Sequence, residues 1–598
     1  MNDEIIFSDL GEICMPGECI SDNGSSEKWR AIPYKAWHIS GKMLLAPAKS
    51  KPPEVTFSPK LSGWHKIFVG LYGGYERNSE IDIKLSDEQG WRRCGTCTKK
   101  KYYDHRIEEI YLSSANMDGQ CVIIGKHSAD FLEMDAAVAW IRFVRMNDDE
   151  VEAYKKAQIE THYKNLYASN DIFTTMALYD MGFSGAWETV VHEYRGTDVE
   201  WLAVEDITYS NMKQVTDVDC ALPYSYCNNL YKNFNENFSW DKVEKLVSYG
   251  QNIGIKMCIS RRVASCGMEY PDDFGVFEHD FTANNPQFKC IDRDGVATEY
   301  MSFAYSEVQD YIIDKFIRAA ETGCDAVQPI FSRGWPLILF EEPFTDAFMQ
   351  RYGEDARRLP LDDERIITLK CEMMTEFMRK LRRSLDERIT DCHVELHAKV
   401  LFSVYDNLLV GLDVETWAKE KIVDCIVSDE RRIREKLPKS VMCDDDNNKI
   451  NIEKYKEYTE QSCDPVIVYD YDSIFPPMPD SRGIMRGPKN QSERVFEFSR
   501  LECKYGIKAY IEIMPREMPP EEIKRRAIEI YDAGGKHIGL WDTNTRVVRK
   551  CEWSQWSRLG HEEELRSGEK GKVEFFSIYR VTELGGKNVK VYQGIWTG

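Results

Sequence analysis

The sequence predicts an α/β protein built on a (β/α)8 TIM barrel, with a β-sandwich domain before the barrel and a small extension after it. From about residue 170 to about residue 546, short apolar runs alternate with helical patterns, which is the order of elements in a parallel sheet. About eight such repeats over about 375 residues fit a barrel with insertions. An open doubly wound sheet is the structural alternative. It is disfavoured because no GxGxxG motif opens a helix after the first strand.

The first domain, residues 1–148, is predicted to be an accessory β-sandwich. Alternating runs such as Trp64–Leu71, Ile81–Leu85 and Val138–Val144 are separated by clusters of Gly, Asn, Asp and Ser, a spacing typical of this fold. Its many aromatic residues are expected mostly in the core. The alternative is a sugar-stacking platform or a wall of the neighbouring active site. These residues are Trp29, Trp37, Trp64, Tyr72, Tyr75, Trp91, Tyr102 and Tyr103.

Residues 149–169 are charged and helix-prone, and we interpret them as a linker helix before the barrel domain at 170–546. The barrel contains nine candidate strands, one more than it needs. They are Ile172–Met176, Val199–Val204, Ile255–Ile259, Ala326–Phe331, His393–Val400, Ile422–Val427, Val466–Tyr469, Ile507–Ile513 and Ile538–Trp541. Because a long loop rich in Pro and Gly follows Val466–Tyr469, we interpret that strand as the extra one.

Helical patterns lie between most of these strands. They are Ser239–Tyr249, Glu307–Thr322, Ile366–Leu385, Glu493–Cys503 and Pro520–Tyr531. The C-terminal extension, residues 547–598, is partly β. Its segment Trp553–Leu559 is amphipathic and suited to close the barrel, and short strands are predicted at Lys572–Ile578 and Val589–Tyr592. Either the two strands form a small cap, or they return to the N-terminal sandwich.

Composition narrows the class of protein. The net charge of −22 argues against nucleic-acid partners and anionic membranes, because a phosphate backbone needs a basic footprint. The 18 cysteines follow no zinc-binding frame beyond one CxxC at Cys94 and Cys97, so we expect reduced thiols, no metal and no cofactor. There is neither a signal-peptide pattern nor an apolar run of membrane-spanning length. We expect a cytoplasmic protein. The sequence does not decide its oligomeric state, and a homo-oligomer is compatible with it.

Several phrases in the barrel region resemble a known family. They are GTDVEWL (196–202), DRDG (292–295), MSFAYSEVQDYI (301–312), GCDAVQPIFSR (323–333), EEPFTDAFMQRYGEDARRLPLDD (341–363), GLDVETW (411–417) and MPREMPPEEIKRRAIEIYDAGGKHIGLWDTNTR (514–546). Their order and spacing resemble the bacterial "family 10 glycosyl-hydrolase-like" proteins. The resemblance covers roughly residues 170–546 and implies a sugar-processing barrel without naming the sugar.

Glycoside hydrolysis needs two carboxyl groups that face each other across the scissile bond. Glu341 and Glu342 follow the fourth candidate strand, and we interpret one of them as the general acid. The alternative is an N-terminal acid of the helix that begins at Pro343. Glu512 lies within the apolar strand KAYIEIMP, where an acid is costly unless it is paired or catalytic. It is the leading nucleophile or base, with a salt bridge as the alternative.

Further polar and aromatic residues sit at predicted strand ends and are candidates for substrate binding. They are Arg333, Arg261, His397, Lys399, Glu205, Asp206, Asp542, Trp335 and Trp541. The acids bind sugar hydroxyls in one interpretation and cap loops in the other. The cations either neutralise carboxylates inside the barrel or grip an anionic sugar with forked hydrogen bonds.

The sequence therefore predicts a glycoside hydrolase that cleaves an oligosaccharide with two carboxylates, with an anionic sugar as one version. Two rival functions share the same fold. One is a carbohydrate-binding barrel without hydrolytic activity, and the other is a lyase or isomerase, because barrels host many chemistries.

Overall fold

The computed structural model describes residues 4–23, 25–74, 78–96, 105–205, 224–263, 280–333, 336–360, 362–431, 491–513, 520–541, 543–567 and 576–589. Within these ranges the chain forms an antiparallel sheet domain and a closed parallel barrel. The predicted strand Val466–Tyr469 and the candidate substrate-binding residues Asp206, Trp335 and Asp542 lie outside the described residues.

The strands of the sheet domain come mostly from the first part of the chain. They are β1 (Glu4–Phe7), β2 (Ile20–Ser21), β3 (Trp29–Ala36), β4 (Ile39–Ala46), β5 (Val55–Phe57), β6 (Trp64–Gly73), β7 (Glu80–Leu85), β8 (Arg92–Gly95), β9 (Arg106–Asn116), β10 (Val122–Gly125) and β11 (Ala136–Arg145). The barrel region supplies β12 (Leu166–Asp171), β13 (Val199–Glu205), β14 (Lys256–Arg262), β15 (Lys289–Ile291), β16 (Ala297–Met301), β17 (Ala326–Ile330), β18 (Glu395–Val400), β19 (Cys425–Ser428), β20 (Lys508–Ile513) and β21 (His537–Leu540). The last strands are β22 (Phe576–Leu584) and β23 (Lys587–Asn588).

The helices lie mostly around the barrel. They are α1 (Leu10–Ile13), α2 (Asp148–Ile159), α3 (Ile172–Leu178), α4 (Ala186–His192), α5 (Tyr224–Lys232), α6 (Trp240–Asn252), α7 (Asp280–Asn284), α8 (Ser306–Ala320), α9 (Glu342–Tyr352), α10 (Glu364–Arg388), α11 (Val404–Leu409), α12 (Val414–Lys419), α13 (Gln491–Tyr505), α14 (Pro520–Asp532), α15 (Lys550–Trp556) and α16 (Glu562–Ser567). No helix of the described ranges is both long and apolar enough to cross a bilayer.

The predicted parallel barrel is confirmed. Eight parallel strands close in the order β12-β13-β14-β17-β18-β19-β20-β21. The predicted runs that coincide with barrel strands begin at Val199, Ile255, Ala326, His393, Ile422, Ile507 and Ile538. The ring passes directly from β19 to β20, so it closes without the run at Val466–Tyr469.

The prediction for the first barrel strand is wrong. Ile172–Met176 lies in helix α3, and the strand is Leu166–Asp171, which begins inside the range 149–169 interpreted as a linker. The helix starts where it does because the Asp171 side chain accepts hydrogen bonds from the backbone N–H groups of Phe173 and Thr174. Such a cap turns an apolar run into the buried face of a helix instead of a strand.

Alternation along the strands decides which side chains enter the barrel. Tyr167, Trp201, Cys258, Cys425 and Tyr510 form one buried cluster inside the ring. Their neighbours in sequence point outward and pack against the surrounding helices. Every second side chain of a strand points to the same side. The barrel interior between this cluster and the C-terminal strand ends is therefore filled by residues two or four positions further along the strands.

Within the described residues the sheet domain contains two sheets, whose strand pairs are antiparallel except for the parallel pair β2–β3. The smaller one has the order β5-β10-β7-β8, and its apolar residues share one core with the larger sheet. In the larger sheet, β22 pairs with both β9 and β3, so the pairings β3-β4-β11-β6-β9-β22 run in a ring. The C-terminal strand therefore returns to the N-terminal domain, which decides between the two alternatives left open by the sequence.

The sheet domain packs directly against the barrel. Trp91, just before β8, donates its ring N–H to the Ser184 carbonyl at 2.9 Å and its backbone N–H to Thr189 at 3.0 Å. The ring of His127 stacks on Phe183 with centroids 3.6 Å apart. These contacts fix the sheet domain against the segment that carries α4.

Candidate active site

Two glutamates and one lysine meet inside the barrel at the C-terminal ends of its strands. Glu205 ends β13, Lys399 lies near the end of β18, and Glu512 lies near the end of β20. Lys399 Nζ is 2.8 Å from Glu512 Oε1 and 3.6 Å from Glu205 Oε1. All three side chains are buried. This is the end of a parallel barrel where active sites form.

Glu512 is held in its neutral form near neutral pH. Burial raises the pKa of its carboxyl group to about 8, against the opposing effect of Lys399, and the charges of Asp429 and Glu205 raise it further. Glu512 Oε2 is buried and makes no hydrogen bond to any residue in the described ranges. A carboxyl group of this kind is suited to deliver a proton.

Glu205 has the opposite electrostatic environment. Burial alone would raise its pKa, but the charges of Lys399, Arg262 and Arg333 outweigh burial and lower it. The indole N–H of Trp541 donates to Glu205 Oε1 at 3.0 Å. Two neighbouring acids whose pKa values are pushed apart are the pattern of an acid and a carboxylate with separate roles.

The ring of Trp541 is surrounded by cations. Arg431 lies 4.2 Å, Lys399 5.0 Å and Arg333 5.4 Å from its ring centroid. Because these groups occupy positions over the ring, Trp541 is better placed to orient Glu205 than to stack on a sugar. Trp541 was predicted to bind substrate, and the hydrogen bond to Glu205 gives it a different contact.

The cations of the site lie against acids. Arg262 Nη2 is 3.3 Å from Asp171 Oδ2, and Arg431 Nη1 is 2.5 Å from Asp429 Oδ2. The charges of Arg431 and Lys399 lower the pKa of Asp429, outweighing the effect of its burial. These pairs match the interpretation in which cations neutralise carboxylates inside the barrel.

The backbone of Glu512 is supported by two neighbours. Arg494, fully buried on α13, donates to Ser428 Oγ at 2.9 Å and to the Glu512 carbonyl at 3.2 Å. Gly539 lies opposite Glu512 in the β20–β21 register. A Cβ atom at Gly539 would lie only 2.9 Å from Glu512 Cα, so the glycine leaves the space that the glutamate occupies.

The two acids predicted after the fourth strand lie elsewhere. Glu341 is buried and accepts hydrogen bonds from Ser302 Oγ and from the backbone N–H groups of Leu339 and Ile291. Burial raises its pKa, against the lowering effect of these hydrogen bonds. Glu342 is exposed in the first turn of α9, which agrees with the helix-terminus alternative. Neither acid contacts the Lys399 group through any described hydrogen bond or ion pair.

His397 and Arg261 are the other two cationic candidates inside the barrel domain. Both ring nitrogens of His397 are engaged, with Nδ1 3.1 Å from Tyr167 OH and Nε2 2.9 Å from Glu395 Oε2. Arg261 is fully buried. Strand alternation gives its neighbour Arg262 the interior phase of Cys258, so Arg262 is the residue that faces Glu205.

Sequence reasoning missed Asp429, Asp171 and Arg494, and of the adjacent pair Arg261 and Arg262 it selected Arg261 as the candidate. A signal existed for Asp429, because it directly follows an apolar strand that ends at Ser428. Period-two counting from Cys258 would also have selected Arg262 instead of Arg261. Arg494 gave no such signal, because it lies on a helix and reaches Glu512 only through the fold.

Comparisons with known proteins find similarity in structure only. No family model matches the chain, and no curated protein matches it, so the resemblance to the family 10 glycosyl-hydrolase-like proteins stays an expectation. A β-galactosidase from the psychrophilic Marinomonas ef1 is 9% identical with a TM-score of 0.41, covering 67% of this chain and 59% of that chain. This chain thus spans 59% of the length of that enzyme.

Two further solved structures show comparable similarity. The catalytic domain of a β-amylase from Paenibacillus polymyxa is 10% identical with a TM-score of 0.38, over 66% of this chain and 98% of that chain. The α-galactosidase TtGalA from Thermus thermophilus is 9% identical with a TM-score of 0.32, over 90% and 94%. Identities and TM-scores this low do not transfer a function from those enzymes to this chain.

Proposed function

We propose that the protein is a glycoside hydrolase in which Glu512 is the general acid and base and Glu205 is the nucleophile. One observation carries the proposal: the two buried glutamates share Lys399, yet the pKa of Glu512 is raised to about 8 and that of Glu205 is lowered. Glycoside hydrolysis requires one protonated and one ionised carboxyl group on opposite sides of the scissile bond.

The spacing of the two acids favours retention of anomeric configuration. Because Glu205 Oε1 and Glu512 Oε1 both pair with Lys399 Nζ, these two atoms are at most about 6.4 Å apart, the sum of their distances to that nitrogen. Retaining enzymes place their carboxyl groups about 5–5.5 Å apart, whereas inverting enzymes need about 6.5–9.5 Å to admit a water. The shared lysine is therefore compatible with a direct nucleophile.

The proposed reaction has two steps. Glu512 gives its proton to the glycosidic oxygen while the Glu205 carboxylate attacks the anomeric carbon, so the leaving sugar departs as an alcohol and a glycosyl ester forms. The ionised Glu512 then removes a proton from water, which attacks the same carbon and releases Glu205. Lys399, 2.8 Å away, stabilises Glu512 during the interval when its carboxylate is charged.

The charged groups around the two acids bear on the class of sugar that the protein would cleave. Arg262 and Arg431 each lie against an aspartate, which favours a neutral oligosaccharide over an anionic one. A uronate or sulfated sugar is the alternative, and the charge of Arg333 near Glu205 supports it.

The test is reducing-end release from a panel of neutral and anionic oligosaccharides, with wild type, Glu512→Gln and Glu205→Gln. We expect release by wild type alone, with the anomeric configuration of the first product retained in proton NMR. Binding without release across the panel would favour a carbohydrate-binding barrel instead. Loss of turnover in EDTA would point to a metal-dependent lyase or isomerase.

A further inference from the structure

An exposed tryptophan occupies a strained position at the tip of a β-hairpin in the sheet domain. Ala36 and Ile39 pair across β3 and β4, so Trp37 and His38 form a two-residue turn between them. Trp37 has a φ of +53°, a conformation that turns usually assign to Gly or Asn. Its side chain is 65% exposed. Neither burial nor backbone preference accounts for an indole here.

The indole is supported from below by a row of aromatic rings. Trp37 stacks on Tyr579 of β22 with centroids 5.7 Å apart and an interplanar angle of 29°. Tyr579 meets the buried Trp140 edge-on at 5.3 Å, and Trp140 stacks on Tyr34 at 6.2 Å. The row runs from the exposed surface into the core of the strand ring, so Trp37 rests on a rigid base.

Polar side chains surround this row. Arg142 donates to both oxygens of Glu109, through Nε at 3.0 Å and Nη2 at 2.5 Å, and to Glu4 at 3.3 Å. The charges of these three groups act on the Tyr579 hydroxyl.

We infer that Trp37 and Tyr579 form a second carbohydrate-binding site, which holds one pyranose ring of a polysaccharide against the indole. The apolar C–H face of a sugar ring packs on an aromatic face, and its hydroxyl edge needs polar partners such as Arg142 and Glu4, whose charges act on Tyr579. The inference rests on the proposed function in taking a polysaccharide as the ligand.

The size of the patch argues against a protein partner. A stable protein–protein interface buries about 1,200 Å² or more in total, whereas a large aromatic side chain supplies about 150–250 Å². Two stacked rings, one of them half-buried, match a sugar ring and fall far below the needs of a dimer. A second copy of this chain is therefore an outcome to test and not the expected occupant.

The experiment is affinity electrophoresis of the full chain in native gels that contain β-glucan, galactomannan, xylan or amylopectin. Wild type, Trp37→Gly and Trp37→Phe are compared in the Glu512→Gln background, so that the polysaccharide stays intact. We expect retardation of the parent in at least one gel, about tenfold weaker binding with Trp37→Gly, and partial recovery with Trp37→Phe. Phe496→Ala, which removes another exposed aromatic ring, should change nothing.

Thermal unfolding separates binding from folding. Because glycine relieves the positive φ, Trp37→Gly should match or exceed the melting temperature of the parent. Equal retardation of the parent and Trp37→Gly in every gel would overturn the inference, and so would a change of oligomeric state in light scattering. Trp37-dependent binding without hydrolysis by wild type would contradict the proposed function alone. Hydrolysis without Trp37-dependent binding would contradict the second site alone.

Discussion

Lys399 Nζ lies 2.8 Å from Glu512 Oε1 in the buried interior of the barrel. A cation this close normally lowers the pKa of a carboxyl group, but burial and two neighbouring carboxylates raise the pKa of Glu512 to about 8. The lysine therefore lies beside an acid that is neutral at rest and charged only after it has given up its proton. Most of the expected behaviour of the site follows from this arrangement.

Replacement of Glu512 by glutamine should abolish turnover and preserve the fold. The amide keeps the shape of the side chain but has no proton to transfer, so we expect a loss of kcat of about 10³-fold. The measurement is reducing-end release together with circular dichroism. Glu342→Gln is the matched control, because Glu342 is exposed at the start of α9. Activity of Glu512→Gln close to that of wild type would remove the assignment.

The pH profile of kcat/KM should fall on its alkaline side near pH 8. Glu512 must be protonated to act as the acid, and its pKa is raised to about 8. Glu205 must be ionised, and its pKa is lowered, so the acidic limb should lie below the ordinary value for a glutamate. Initial rates at low substrate concentration provide the profile. An activity that rises steadily through pH 9 would contradict these roles.

Stability should fall as the pH rises from about 4.5 to about 8. In this range the folded protein keeps the Glu512 proton that the unfolded chain releases, so the unfolded state binds fewer protons and the free energy of unfolding decreases with pH. Thermal unfolding of wild type and Glu512→Gln at several pH values measures the effect. The variant should lose this part of the slope, and an unchanged slope would show that other groups cause it.

Removal of the lysine should be costly because it leaves Glu205 and Glu512 buried without their shared cation. Lys399→Met is expected to destabilise the protein by about 3–5 kcal/mol and to raise the acidic limb of the pH profile, because Lys399 lowers the pKa of Glu205. Addition of Glu512→Gln should recover little of this loss near neutral pH, since Glu512 is already neutral there and Glu205 carries the uncompensated charge. Chemical denaturation of the single and double variants measures these losses, and a Lys399→Met variant as stable as wild type would refute the interaction.

Gly539 should be required for the position of Glu512. A Cβ atom there would lie 2.9 Å from Glu512 Cα and 3.1 Å from its Cβ, so Gly539→Ala should push the strands apart and lower kcat by about 10²-fold, with a loss of stability of about 1–3 kcal/mol. Gly17→Ala is the control, because no atom lies within 4 Å of a Cβ built at Gly17. Steady-state kinetics of both variants should separate them clearly.

The sequence predicted the barrel and named Glu512, Lys399 and Glu205 among its candidate residues, for physical reasons that can be stated. Apolar runs of period two located most barrel strands, and an acid inside such a run identified Glu512. The same alternation indicated that the side chain of Lys399 points into the barrel, and it is buried. Arg261 and Arg262 both lie at the end of the apolar run, so the run alone does not show which of them points into the barrel. Counting every second residue from Cys258, which lies inside the barrel, selects Arg262.

The error over Glu341 has a different cause. Its hydrogen-bond partners Ile291 and Ser302 belong to or follow the β15–β16 hairpin, about 40–50 residues earlier in the chain. A contact between residues so far apart in the sequence depends on how a long insertion folds back, and the local sequence pattern does not predict it. The cap at Asp171 was visible in the sequence, but the apolar residues after it favoured a strand.

Completion of the sheet domain depends on β22, a strand that the ribosome synthesises only after the barrel. Strands β3 and β9 are made early, yet the strand that pairs with both of them is made only after the whole barrel. Until then each keeps an open hydrogen-bonding edge, a surface that attracts unwanted strands from other nascent chains. The sheet domain, which is synthesised before the barrel, is thus completed only after it, and β22 joins segments of the chain that lie on either side of the barrel.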